Sequence, residues 1–278
     1  MPADAMPMAR AFAAGAVRRA ATTARNARRS QLAAAAAAGT AAAAAGCALW
    51  RSQQTMPSER ERLGVFEHLA SEILAGNMSF RPGPTEDWRK EIIRQAYGDV
   101  LEVAVGAAGN FKYYNKQRVD SVTAADLSES MLAVARLQAS DLEPIPLRLA
   151  LEDAEAFDGF KDDSFDTVVD TFGLCSFEHP AQALAEMARV CRPDGRVLLL
   201  EHGLAESKVL QRLQVFTSES FARHNGCRQD FDIVRLVESC GRLEVLEMKR
   251  RFFGMSYSLV CKPKAHCVSC RPTCQCRD

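Results

Sequence analysis

Between Asp99 and Cys261 the chain repeats one rhythm: a short apolar run, a turn of small or acidic residues, then apolar positions at helical spacing. The first run, Val100 to Val105, carries one acid, Glu102, and ends in the small-residue turn Gly106–Gly109, before Asn110 and aromatics. A second strand is predicted over Ser121–Ala125, ending in Asp126, and Ser128 then caps a helix through Met131, Leu132, Ala135 and Leu137. Leu147–Leu151 is a third strand, ending in Glu152-Asp153-Ala154, and Phe165–Thr171 a fourth. Pro180 opens a helix with Ala183, Leu184, Met187 and Val190 inward, closed by a turn at Arg192–Gly195. Val197–Leu200 is the fifth strand, running into Glu201-His202-Gly203, and helical segments follow near 206–222 and 230–239. Leu243–Met248 and Met255–Cys261 are strands too close for a crossover helix, so they must be antiparallel. Upstream, Glu59–Ile73 has apolar residues at 63, 66, 69, 70 and 73. Thr85 is positioned to cap a helix with Trp88, Ile92, Ile93 and Ala96 on one face, ended by Gly98. The whole predicts an α/β fold with a mostly parallel sheet, an antiparallel last strand and helices on both faces.

Composition changes this picture mainly at the ends. The 278 residues carry 35 basic and 35 acidic side chains, so no global field argues for nucleic acid, and none is expected as a partner. Before Glu59 the only acid is Asp4, against arginines at 10, 18, 19, 25, 28, 29 and 51. Residues 1–30, rich in Ala and Arg, have the composition of an organelle targeting segment or of a disordered basic arm. Residues 31–50 are Ala-rich and uncharged, flanked by Arg29 and Arg51, with Trp50 at the edge. They have the length of a transmembrane helix, although alanine drives insertion weakly and the run also fits the end of a cleaved presequence. Residues 51–85 form a linker and leading helix. Of ten cysteines, five are scattered in apolar contexts and five crowd into the end of the chain. The 263–278 tail holds Cys267, Cys270, Cys274 and Cys276, candidate soft-metal ligands; because their CxxC and CxC spacing departs from a zinc ribbon, a disordered, redox-sensitive or lipidated tail is the preferred reading and no metal is expected.

In a parallel sheet, ligands lie beyond the carboxyl ends of the strands, at the point where strand order reverses. The residues there are Gly106, Gly109 and Asn110, then Asp126 and Leu127, Asp153 and Ala154, and Asp170 and Thr171. Asp126 stands about 20 residues past the glycine turn, where a carboxylate accepts ribose hydroxyls and disfavours a 2′-phosphate. The pocket therefore suits an adenosine-type ligand, which dehydrogenases and methyltransferases share. Asp99–Tyr114, Val122–Leu132, Leu151–Phe157 and Ser164–Gly203 together resemble the class I S-adenosylmethionine-dependent methyltransferases. They are most similar to the subgroup of ubiquinone/menaquinone and membrane-associated thiol-methyltransferase-like proteins, in a mitochondrial-membrane branch, over roughly residues 95–262.

The resemblance implies a Rossmann-like methyltransferase domain over 86–262, S-adenosylmethionine as cofactor, and a small, lipophilic acceptor such as a quinone-like carbon or a thiol. With the basic 1–30 segment it also points to a mitochondrial location, at the inner membrane, or to another organelle, and the length of 31–50 makes that run the candidate membrane attachment. By that resemblance Glu102 and Gly106 line the methionine end, Asp126 holds the ribose, Asp153 and Ala154 flank the adenine, and Asp170 and Thr171 close the floor. Two departures stand out. Ala104 and Ala108 occupy positions usually held by glycine; a methyl at 104 is tolerable at negative φ, whereas position 108 suggests positive φ, with Gly109 able to take over one residue later. Asp194 replaces a turn glycine and tolerates the left-handed region. His179 and His202, near strand ends, are candidate general bases or structural histidines. Phe216, Phe221, His224 and Asn225 are candidates for the acceptor side. Two rivals remain: a catalytically impaired scaffold, kept open by Ala108, and a nucleotide-linked oxidoreductase, disfavoured by Asp153, Asp170 and the incomplete GxGxxG.

Overall fold

The structure, a computed structural model, describes residues 56–78 and 83–264. The segments read as 1–30 targeting sequence and 31–50 spanning helix lie outside the described residues, as do Cys267, Cys270, Cys274 and Cys276. Among the described residues no helix is long and apolar enough to cross a membrane.

Seven strands form one sheet in the order 3-2-1-4-5-7-6. They are β1 (Gly98–Val103), β2 (Val119–Asp126), β3 (Leu147–Leu151), β4 (Phe165–Thr171), β5 (Cys191–His202), β6 (Leu243–Arg251) and β7 (Ser256–Pro263). β1 to β5 pair in parallel, and β7 runs antiparallel to both β5 and β6. The α-helices among the described residues are α1 (Glu59–Leu74), α2 (Glu86–Ile93), α3 (Glu129–Leu137), α4 (Pro180–Val190), α5 (Lys208–Asn225) and α6 (Ile233–Ser239).

Alternation along the central strands explains the two layers. Leu101, Val103, Val168 and Leu199 face one side, packed with Leu184 and Met187 of α4 and Ile233 and Val237 of α6. Their neighbours Val100, Val169, Leu198 and Leu200 face the other, packed with Trp88, Ile92 and Ile93 of α2 and Leu132 and Ala135 of α3.

Local signals behave differently from expectation at four places. Thr85 holds the N-cap position of α2, but its side chain makes no cap hydrogen bond. Gly98 opens β1 at φ 64° rather than closing a helix; a Cβ there would collide with the Asp166 carboxyl. β5 starts at Cys191, because Arg192–Gly195 forms an irregularity within the strand opposite Phe165–Thr167 instead of a separate turn. Asp194 consequently stays out of the left-handed region.

The leading helix α1 is capped by a reciprocal Ser58–Glu61 box. It packs against α3 and α5. Phe66, Leu69 and Ile73 meet Met131 and Val134, and the Glu67 carboxylate accepts from the hydroxyls of Ser128 and Ser130. Buried Arg62 pairs with Glu178 at 2.7 Å, pinning α1 to the loop before α4.

Candidate active site

Strand order reverses between β1 and β4, and a cleft of about 790 Å³, counting solvent at its mouth, opens at their carboxyl ends. Of the sequence candidates, Gly106, Asp126, Leu127, Asp153 and Ala154 line it. Leu63 and Phe66 of α1 contribute to the wall with Phe157, Phe172 and Phe177. Among the described residues, the charged side chains on this wall are all carboxylic: Glu59, Asp126, Glu152, Asp153 and Glu155.

Asp126 shows why the turn has its shape. Its Oδ2 accepts from the Gly106 N–H at 2.9 Å and its Oδ1 from the Ser128 N–H at 2.9 Å. An ionised carboxylate has about four acceptor positions, so capacity remains for a ribose hydroxyl. Burial pushes its pKa up, while the amides of Ser128 and Gly106 pull it back. Asp153 is fixed by accepting the Glu155 N–H at 2.8 Å. Gly106 takes φ 51°, and Ala104, contrary to the negative angle anticipated, takes φ 48° on the cleft wall.

Ala108 also lies at positive φ, 56°, and Gly109 does not replace it in that role. Ala108 is buried among Phe111, Tyr114 and neighbouring apolar residues, and with Gly109 it borders a separate depression near Gln138 and Asp141. Its methyl group does not line the cleft.

Behind the cleft sits a polar network that joins three more sequence candidates. Arg89 donates to Asn110 Oδ1 at 2.6 Å and Thr171 Oγ1 at 2.9 Å. Asn110 Nδ2 donates to Glu102 Oε1 at 3.0 Å, and the Tyr114 hydroxyl to Glu102 Oε2 at 2.7 Å. Glu102 is buried and does not line the cleft. Burial pushes its pKa up to about 7 against the opposing pull of Tyr114, Arg89 and Asn110. Arg89 and Tyr114 were not singled out from the sequence; an arginine on the apolar face of α2, beside Trp88 and Ile92, was the available signal.

Asp170 is wholly buried beneath Phe172 and Gly173, and its Oδ1 accepts from the Gly173 N–H at 3.0 Å. It interacts directly with buried Glu201 of β5, and burial raises both carboxyls. Like charges this close do not both ionise, so the pair holds at least one proton between them.

The histidines separate. His179 heads α4 with Nδ1 2.9 Å from Glu155 Oε2, so a carboxylate on the cleft wall orients it. His202 stacks on Phe172, ring centroids 4.4 Å apart. Phe216, Phe221, His224 and Asn225 lie on α5 outside the cleft wall; His224 and Asn225 bond backbone carbonyls of their own helix.

The sheet order, the antiparallel β7 and the acid after β2 define a methyl-donor fold, and a family model described as "Methyltransferase domain" matches residues 101–199. The chain belongs to the class I S-adenosylmethionine-dependent methyltransferases. It is 38% identical over 152 residues to a phosphatidylethanolamine N-methyltransferase of Cereibacter sphaeroides, covering 54% of this chain and 72% of that protein. It is 29% identical over 229 residues to the mitochondrial methyltransferase OMS1 of Saccharomyces cerevisiae, covering 77% of this chain and 48% of that one. It is 38% identical over 144 residues to the ubiquinone/menaquinone biosynthesis C-methyltransferase UbiE of Burkholderia mallei, covering 50% and 58%. The chain thus spans roughly half the length of the last two relatives. Among solved structures, the [4+2]-cyclase SpnF superposes with a TM-score of 0.55 at 14% identity, over 76% of this chain and 99% of that one. That likeness shows the fold alone.

Proposed function

We propose that the chain methylates a small lipophilic acceptor, a quinone-like carbon or a thiol, at a mitochondrial membrane. The observation that carries the donor half is the cleft wall: five carboxylic side chains and, among the described residues, no basic one. Such a wall suits a cationic adenosine derivative and repels the pyrophosphate of a dinucleotide. When bound, S-adenosylmethionine supplies a methyl group on a sulfonium, a leaving group that needs no further activation. The residues fit it: Asp126 has acceptor capacity for the ribose, Leu127 and Ala154 offer apolar surface for the adenine, and Asp153 stands beside them for its amine. Glu102 acts through Asn110, holding the turn that approaches the methionine end. The chain's remaining task is to align the acceptor, which in such reactions supplies most of the rate. A base is needed only where the acceptor has a proton to lose; His179, held by Glu155 of the cleft wall, is the candidate for it.

Lipophilicity is supported by two relatives whose names specify lipid acceptors or products, phosphatidylethanolamine and ubiquinone/menaquinone. Exposed Val209 and Leu213 on α5, and Phe253 in the β6–β7 turn, add apolar surface near the segment that follows β5. The mitochondrial relative and the acid-poor residues 1–30 support the location. The test supplies the full chain and methyl-labelled S-adenosylmethionine to a prenylated hydroquinone, a lipophilic thiol, and phosphatidylethanolamine, each in vesicles. Label should enter the hydroquinone or the thiol. Transfer to phosphatidylethanolamine alone, or to none, would overturn the acceptor assignment.

A further inference from the structure

Behind the Phe172–Ser176 wall of the cleft, three donor side chains converge from three different elements. Cys175 follows β4, His202 ends β5, and Cys227 follows α5; their ligand atoms all lie within 4.8 Å of one another. We infer that Cys175, His202 and Cys227 form a binding site for one zinc ion, distinct from the methyl-donor cleft.

The convergence is built by the fold. Gly226 ends α5 at φ 74°, in the left-handed conformation that turns the chain out of the helix. A Cβ at Gly226 would lie 2.7 Å from the Phe66 ring, so the turn is packed as well as bent. The N–H of Arg228, the residue after Cys227, donates to the Cys175 carbonyl at 2.7 Å and ties the two cysteine segments together. His202 is held from the other side by its stack on Phe172, whose carbonyl accepts from the Cys175 thiol at 3.3 Å.

The donor set is also chemically suited. Two thiols and an imidazole are soft and borderline ligands, the combination that selects zinc over magnesium or calcium. His202 Nδ1 is buried and has no hydrogen-bond partner, a cost that coordination or a proton shared with a sulfur would remove. Zinc with bonds of about 2.3 Å to sulfur and 2.0 Å to nitrogen needs donors about 3.5–3.8 Å apart, a contraction of roughly 1 Å from the widest separation here. Binding releases the two thiol protons to solvent. Three protein ligands leave a fourth position for water or an exogenous thiol.

The tail cysteines would confuse a metal titration, so the test uses the full chain carrying C267S, C270S, C274S and C276S, kept reduced. Titrated with Co²⁺ alone, it should bind one equivalent, with a thiolate-to-cobalt charge-transfer band and the visible bands of a tetrahedral ion. One equivalent of Zn²⁺ should bleach both. Cys227→Ser and His202→Gln should each weaken binding at least tenfold, with far-UV circular dichroism unchanged. Cys227→His should retain an ion while losing about half of the thiolate band, a change that misfolding would not produce. Absence of that band in the tail-substituted chain, bands indifferent to these variants, or a Cys175–Cys227 disulfide that persists under reductant would each overturn the proposal.

Discussion

Glu102→Gln isolates the buried acid behind the cleft. In the folded chain the Glu102 carboxyl is 1% exposed and its pKa is pushed from the ordinary 4.5 up to about 7, with burial as the main cause. The proton is therefore held more tightly in the folded than in the unfolded chain. Below pH 4.5 both states are protonated and Glu102 costs nothing. As pH rises towards 7 the unfolded chain ionises first, so stability falls, and above 7 the loss is complete. At about 1.4 kcal/mol per pH unit, the full effect is about 3 kcal/mol. Glutamine keeps the shape: its oxygen can accept from Asn110 Nδ2 and its amide can donate to the Tyr114 oxygen, since that hydroxyl can rotate. Asp170 and Glu201 are present in both proteins, so the difference between the two reports mainly on position 102. Urea unfolding of both proteins from pH 4.5 to 8 should show the variant gaining on the wild type by about 3 kcal/mol across that window. A difference constant to within about 0.5 kcal/mol would refute the reasoning, because it would mean that Glu102 is ionised throughout.

Other positions give independent checks. Gly173→Ala places a Cβ on Asp170 Oδ1, so the turn at the cleft floor must shift; S-adenosylmethionine affinity should fall at least tenfold by calorimetry. Ala108→Gly relieves about 1–2 kcal/mol of left-handed strain but gives up a buried methyl and adds unfolded-state entropy. Its stability should change by less than about 1 kcal/mol in denaturant titrations, with cofactor affinity unchanged within threefold. Phe66→Ala removes part of the cleft wall contributed by α1, and should lower cofactor affinity several-fold with a stability loss of about 1–2 kcal/mol. Unchanged affinity there would mean that α1 does not shape the bound site.

The strands were readable because their signals are local. β3 and β4 lie where alternation and flanking turn residues place them, and β7 had to be antiparallel because no crossover fits before it. Where a local signal had two readings, packing chose: Pro193-Asp-Gly195 resembles a helix-ending turn, but the chain continues there as an irregular edge of β5. Asp126, Asp153 and Gly106 were legible because they sit at strand ends, and the sheet brings strand ends together. Arg89 was not, since its partners Asn110 and Thr171 are 21 and 82 residues away. α1 announced a buried face through its spacing but not what it would cover. Phe216 and Phe221 had the right composition for an acceptor wall; the helix carrying them lies outside the donor cleft, whose apolar wall is made by residues such as Leu63, Phe66, Phe157 and Phe177.

The central claim is that an acid-walled cleft at β1, β2 and β4 binds a cationic methyl donor. Calorimetric titration of the full chain with S-adenosylmethionine and, separately, with NAD tests it most directly. One site for S-adenosylmethionine is expected, with no measurable binding of NAD and at least tenfold weaker donor binding in Asp126→Ala, which loses charge-assisted hydrogen bonds worth about 1.5–3 kcal/mol each. Tight NAD binding, or donor affinity indifferent to Asp126→Ala, would contradict it.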